Sequence, residues 1–182
     1  MQAPATTAIK TYTIDPNHST VRFWAKHLMI SKVHGELPDV TGTVVANEED
    51  PSQSKIDVQI KAHTLSTKND QRDAHLRSAD FLDTENFPDI TFKSTKIVRT
   101  GEDTLDITGD LTIRGTTRPV TFKAEVTPEV PSPFGGFKRG ATARGQINRE
   151  EFGVMWNQVL ETGGVVVGKD IHFEIDLELD RP

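Results

Sequence analysis

The chain contains no cysteine. Disulfides, thiol chemistry and cysteine-ligated zinc are excluded together. It also has no run of lysine and arginine, and its net charge is −6. A nucleic-acid partner needs a concentrated basic surface, and an anionic membrane surface attracts a polybasic segment; neither feature is present. No apolar stretch approaches the ~18 residues of a membrane span. The start, MQAPATTAIK, has neither a basic n-region nor an apolar h-region, so it does not read as an intact signal peptide. A cytoplasmic terminus and a processed, exported terminus both fit it. The six histidines include no His-x-His or His-x-x-x-His pair, so no metal site is expected. FGGFKRG and ETGGVVVG are glycine-rich, but neither stands between a strand and a helix as a nucleotide loop requires. Both read as turns.

What is present is alternation. In TLDITGDLTIRGTTRPVTFKAEV, Leu105, Ile107, Gly109, Leu111 and Ile113 occupy every second position, and after a turn Val120, Phe122, Ala124 and Val126 do the same. A period of two puts the apolar groups on one face of a strand. YTID, STVRFWAKHL, KIDVQIKAHTL, DITFKSTKIVR, FKRGATARGQIN and KDIHFEIDLELD follow the same rule. KVHGELPDVTGTVVA reads as one long strand bent at Gly35 and Pro38. The period changes only in TKNDQRDAHLRSADFL, which predicts a helix over about residues 69–80, with Thr67 and Asp70 in capping-box spacing. Residues 1–10 are expected to be loosely ordered, with one domain over 11–182.

About eight long strands, each apolar on one face and mostly joined by short turns, predict an antiparallel sheet. Long edges invite aggregation unless they are closed, so the expected fold class is an all-β, eight-stranded antiparallel barrel with one short helix. Ten-residue strands at ~3.3 Å per residue give a wall up to roughly 30 Å long. The apolar face then looks inward. Val21, Phe23, Val58, Ile60, Phe92, Leu111, Ile113, Phe122, Ala124 and Phe173 are the candidate ligand contacts, and Trp156, in the loop-like FGVMWNQ, is placed at the pocket mouth. Small inward residues (Ala62, Gly109, Ala124, Ala141, Ala143 and Gly145) are consistent with two interiors: a long apolar cavity, or a filled core that they keep uncrowded. A cavity with so few polar groups suits a long hydrocarbon better than a sugar, nucleotide or peptide.

Several stretches carry a resemblance. YTIDPNHSTVRFWAKHLMISKVHGEL, NDQRDAHLRSADFLDTENFPDITFKS, ITGDLTIRGTTRPVTF, INREEFG and VGKDIHFEIDLELD resemble, in this order, the YceI family of lipocalin-like, polyisoprenoid-binding proteins. The resemblance runs from Tyr12 to Asp180. It implies a lipocalin-like barrel with a tunnel-shaped pocket, a bound isoprenoid (an isoprenoid quinone or polyprenyl phosphate) or similar long-chain amphiphile, transport rather than catalysis, no other cofactor, and a homodimer. The family often has an aromatic where this chain has Leu37 and Leu82, departures that bear on pocket width.

Other readings stand beside the carrier. A lipid-acting isomerase or hydrolase would use His18 or His27, yet no nucleophile–base pair is visible to serve it. A stress-associated interaction module would have a filled barrel. The carboxylates around the helix, Asp70, Asp73, Asp80, Asp83, Glu85 and Asp89, are accounted for in part by the favourable field of a helix N-terminus. Arg114 and Arg118 flank one turn, and Lys138 and Arg139 another; if the turns share a barrel end they meet a pyrophosphate head. Trp24 faces outward between Arg22 and Lys26, and is expected to be covered by the helix or a second subunit.

Overall fold

The computed structural model describes residues 9–182. One sheet contains β1 (Ile9–Ile14), β2 (Thr20–His27), β3 (Ser31–Leu37), β4 (Val40–Asn47), β5 (Lys55–Lys61), β6 (Asp89–Arg99), β7 (Thr104–Ile113), β8 (Thr116–Val126), β9 (Val130–Pro131), β10 (Phe137–Asn148) and β11 (Val167–Arg181). The helix is α1 (Asp70–Arg77). Every pairing is antiparallel, and the order is β3-β2-β11-β1-β4-β5-β6-β7-β8-β10-β9. β10 also pairs with β11, from Phe137↔Arg181 to Asn148↔Asp170. That pairing closes β11, β1, β4, β5, β6, β7, β8 and β10 into an eight-stranded antiparallel barrel. Its 15-residue strand β11 serves two neighbours. The C-terminal part pairs with β1, and the N-terminal part with β2, so the β2–β3 hairpin extends the wall at one end.

The turns sort into two ends. The register of β10, β11, β2 and β8 places the β2–β3 turn, α1, the β7–β8 turn and the β10–β11 loop together, here called the helix end. The β4–β5, β6–β7 and β8–β10 connections lie at the far end, whereas the β1–β2 connection is a break along the wall, between the β11 residues paired with Ile14 and with Thr20. Among the described residues no helix is long and apolar enough to cross a membrane.

Four details differ from the sequence reading. KVHGELPDVTGTVVA is two strands, because the chain leaves β2 after Leu37 and joins β1 and β5 from Val40. Pro38, which lacks an N–H, stands at the break. The helix stops at Arg77 rather than near residue 80, since Ser78 is already extended and its N–H and hydroxyl both bond the His75 carbonyl. Its N-cap is Asn69, which accepts from the Arg72 N–H. Thr67 instead donates its N–H and hydroxyl to buried Asp73. Residues 1–8 of the segment expected to be loose lie outside the described residues, while Ile9 and Lys10 open β1 opposite Asn47 and Ala46.

Candidate functional site

Inward side chains form two packed clusters. Tyr12, Val21, Leu37, Val40, Ile60, Leu65 and Ile90 belong to one, and Phe92, Ile97, Ile107, Ala124 and Ala143 to the other. Between and beyond them the barrel is hollow. A cavity of about 760 Å³ runs along the interior. All eleven candidate contact residues, from Val21 to Phe173 and including Ala124 and Trp156, line it. Phe23, Val58, Leu111, Ile113, Phe122 and Phe173 face inward yet stay only half-buried. In a filled core such side chains are covered on all sides.

The small residues create this space in an unexpected way. Phe23 is the cross-strand partner of Gly35, and Phe173 of Gly145. Each ring lies on its glycine: a Cβ at Gly145 would stand 2.6 Å from Phe173 Cζ, and one at Gly35 would overlap the Phe23 ring tip. Gly109 is covered in the same manner by Phe92. The glycines therefore do not leave gaps of their own. They let aromatic rings lie flat against the wall, and the lumen stays open along the barrel axis.

The helix end is covered by an aromatic group. His75 of α1 meets Phe81 and Trp156 edge-on, with centroids 5.0 and 4.8 Å away. Phe81 and Trp156 are 5.3 Å apart. His75 Nε2 lies 2.8 Å from Asp80, which orients the imidazole. Beneath this cover is Arg149, 4% exposed. It donates to the carbonyls of Gly168, Val154 and Val167, and burial pushes its pKa below the ordinary arginine value. Arg149, Arg72 and His75 were not among the sequence candidates. A charged residue within NREEF has every reason to be read as solvated.

At the far end, acid and base neutralise each other. Glu129 accepts from Arg181, Lys10 and the Tyr12 hydroxyl. The Arg181 and Tyr12 bonds, with Lys10, hold the carboxyl down to about 2, against the opposing effect of burial. Burial, then the bond to Glu129, pushes the Tyr12 phenol up to about 12. Asp15, His18 and Glu178 converge within 4.8 Å. His18 Nδ1 is 2.7 Å from Asp15, a contact that raises its pKa. The Lys138 ammonium also reaches Asp15, Glu178 and Asp180, so a protein cation already stands among these carboxylates. His18 is thus a turn histidine outside the barrel.

One expectation fails on the register. Arg114 and Arg118 lie at the helix end, whereas Lys138 and Arg139 lie at the far end, held by Asp180, Glu178 and Glu48. Strand length separates the two basic turns, and they make no common site. Trp24 is covered by its strand neighbours rather than by α1. It stacks on His172 at 3.8 Å, with Lys32 Nζ 4.0 Å from the ring centroid.

A small closed barrel whose apolar lumen is of ligand size defines the architectural class. Within that class the chain belongs to the YceI-like domain family, whose model matches residues 12–179. A UPF0312 protein of Staphylococcus aureus is 40% identical over 168 residues, covering 92% of this chain and 95% of the relative. BcnA of Burkholderia cenocepacia superposes with a TM-score of 0.79 at 19% identity, over 91% of this chain and 98% of BcnA. A polyisoprenoid binding domain from Saccharophagus degradans, implicated in plant cell wall breakdown, gives 0.70 at 12% identity, over 94% of this chain and 98% of that domain. Both structures share the fold.

Proposed function

We propose that the protein is a carrier that holds a long-chain isoprenoid, or a similar single-tailed lipid, in the barrel lumen. The observation that carries this reading is the cavity of about 760 Å³ walled by half-buried aromatic and aliphatic side chains. That volume falls in the ~300–1,000 Å³ range of small-molecule sites. The lining has too few polar groups to replace the hydration of a sugar or nucleotide, whereas an apolar chain gains ~25 cal/mol for each Å² removed from water. The Saccharophagus domain supports the isoprenoid class by its stated ligand. The enzyme reading is less well supported. His18 lies outside the lumen beside Asp15, and His27, which lines the cavity, has no carboxylate partner among the described residues. A general base needs an oriented partner and a reacting group within reach.

The test is a titration of delipidated protein with an isoprenoid quinone and, in parallel, with a nucleotide and a hexose. Saturable one-to-one uptake of the quinone alone is expected. Quinone binding no stronger than to an unrelated globular protein would refute the reading.

A further inference from the structure

Large apolar side chains are left exposed together at the helix end. Leu28, Met29 and Ile30 form the β2–β3 turn, and Met155 and Val159 stand in the β10–β11 loop. Ile30 is 81% exposed and Val159 78%. The two segments touch. The Leu28 N–H donates to the Val166 carbonyl at 2.9 Å. Met29 Cγ lies against Gly164, 3.3 Å from where a Cβ would stand. Apolar groups gathered on a surface in this way mark an interaction site.

The turn holds these residues against its own backbone preference. The Ile30 N–H donates to the His27 carbonyl, and the two residues between them, Leu28 and Met29, are left-handed, with φ of 51° and 64°. Such a turn ordinarily takes Asn-Gly, because a bulky side chain at positive φ crowds the backbone. Leu28 and Met29 therefore add strain to exposure, and neither lines the lumen. Behind the turn, Lys26 and Lys32 are cross-strand partners. Like charges so placed repel each other. Neither has an ion-pair partner among the described residues, and Lys32 Nζ lies instead 4.0 Å from the Trp24 ring centroid. With Lys169 they make three lysines against one carboxylate, Glu161, within residues 26–32 and 155–169. At the far end, where Val130, Phe134 and Phe137 are exposed, Lys138, Arg139 and Arg181 are all ion-paired.

We propose that the β2–β3 turn and the β10–β11 loop dock the protein on the surface of a lipid bilayer, with their aliphatic tips in the interface and the lysines among anionic head groups. The β2–β3 hairpin extends the wall at this end, so its turn stands forward of the barrel. Aliphatic tips on two turns suit the fluid apolar layer of a membrane, which needs no fitted partner. A protein interface needs a shape-matched, hydrogen-bonded core instead. Lysines behind such tips lay their stems along the apolar surface and keep their charges at head-group level. The surface is continuous with the mouth of the lumen: His27 precedes Leu28, Trp156 follows Met155, Val166 bonds Leu28, and all three line the cavity. A docked barrel opens on the bilayer, and a lipid enters it without crossing water. The docking face does not depend on what fills the lumen, whereas its part in loading rests on the lipid-carrier reading.

The experiment measures flotation of the protein with phosphatidylcholine vesicles, with and without phosphatidylglycerol. Binding to both is expected, several-fold tighter to the anionic vesicles. Leu28→Asn combined with Met29→Gly suits the backbone of the turn, so it should raise the melting temperature while weakening vesicle binding tenfold or more. Lys32→Gln with Lys169→Gln should remove the preference for anionic vesicles, and Phe134→Ser at the far end should change nothing. Loading is read separately, as the rate at which an isoprenoid quinone held in the vesicles reaches the protein. It should slow in the turn variant, while affinity for quinone offered without vesicles stays the same. Flotation that Phe134→Ser abolishes and the turn variant retains overturns the proposal. So does a protein that stays off every vesicle; if it self-associates and the turn variant does not, the face belongs to a second copy of the chain. Flotation lost in the turn variant, with no quinone taken up by either protein, supports the docking face and removes the carrier reading alone.

Discussion

Replacing Gly35 by alanine separates a hollow barrel from a filled one. The new Cβ would stand 2.8 Å from Phe23 Cε1 and closer still to Cζ, with only ring atoms of that side chain among its nearest neighbours. Carbon–carbon contact needs ~3.5–4.0 Å, so the ring must move by about 1 Å. It is free to do so only toward the lumen. In a strand, alanine gains roughly 0.5–1 kcal/mol over glycine from the lower entropy of the unfolded chain. If the lumen is open, little opposes that gain. The lipid-free protein should then keep its stability within ~1 kcal/mol, a shift of about 2–4 °C in melting temperature. The ligand, however, loses room. Excluding two methylene groups costs ~1.6 kcal/mol, or roughly a fifteenfold rise in Kd. Denaturant unfolding of delipidated protein and titration with an isoprenoid quinone read the two quantities. If the core is already full, overpacking costs ~1–3 kcal/mol in the lipid-free state. A loss above ~2 kcal/mol there, with quinone affinity unchanged, would refute the reasoning.

Glu129→Gln should lower stability by about 2 kcal/mol at neutral pH, since it breaks charge-assisted bonds to Arg181 and Lys10. The native carboxyl titrates near 2 against an ordinary 4.5. Its contribution is therefore complete above pH 4.5 and fades as pH falls through that window. Urea midpoints of the two proteins should converge near pH 2, and a difference constant from pH 7 to 2 would count against the network. Trp156 lines the cavity and Trp24 stacks outside the barrel on His172. Lipid titration should change the emission of a Trp24→Phe protein and leave that of Trp156→Phe nearly constant; the reverse pattern would place the ligand elsewhere. Chelation should not move the melting temperature, because Lys138 already supplies positive charge to Asp15 and Glu178. A chelator-induced fall, restored by one metal, would contradict this.

The barrel was legible because alternation is a local property. Leu105 to Ile113 announces its inward face without any knowledge of its partners, and strands of that length demand closure. The lining residues followed for the same reason. What stayed hidden depends on register or on the third dimension. Whether Arg114 and Lys138 share an end is a matter of which strand each turn joins, and no local pattern records that. The pairing of Phe23 with Gly35 is equally non-local, so the glycines looked like gaps rather than beds for aromatic rings. Arg149 follows Asn148 and precedes two glutamates, a polar context that conceals a buried charge. The helix was overextended because Ser78, Ala79 and Asp80 are tolerated in helices, whereas the stop comes from side-chain and turn bonds at Ser78.

The central claim is that the lumen holds a long-chain lipid. The most direct measurement is mass spectrometry of an organic extract of protein purified without detergent, quantified against the protein. The account predicts one isoprenoid or comparable single-tailed lipid per barrel, recovered from the unmodified protein and depleted in Gly35→Ala. An extract with no lipid above the level of a control protein purified in parallel, from protein that also takes up none when it is offered, would contradict it.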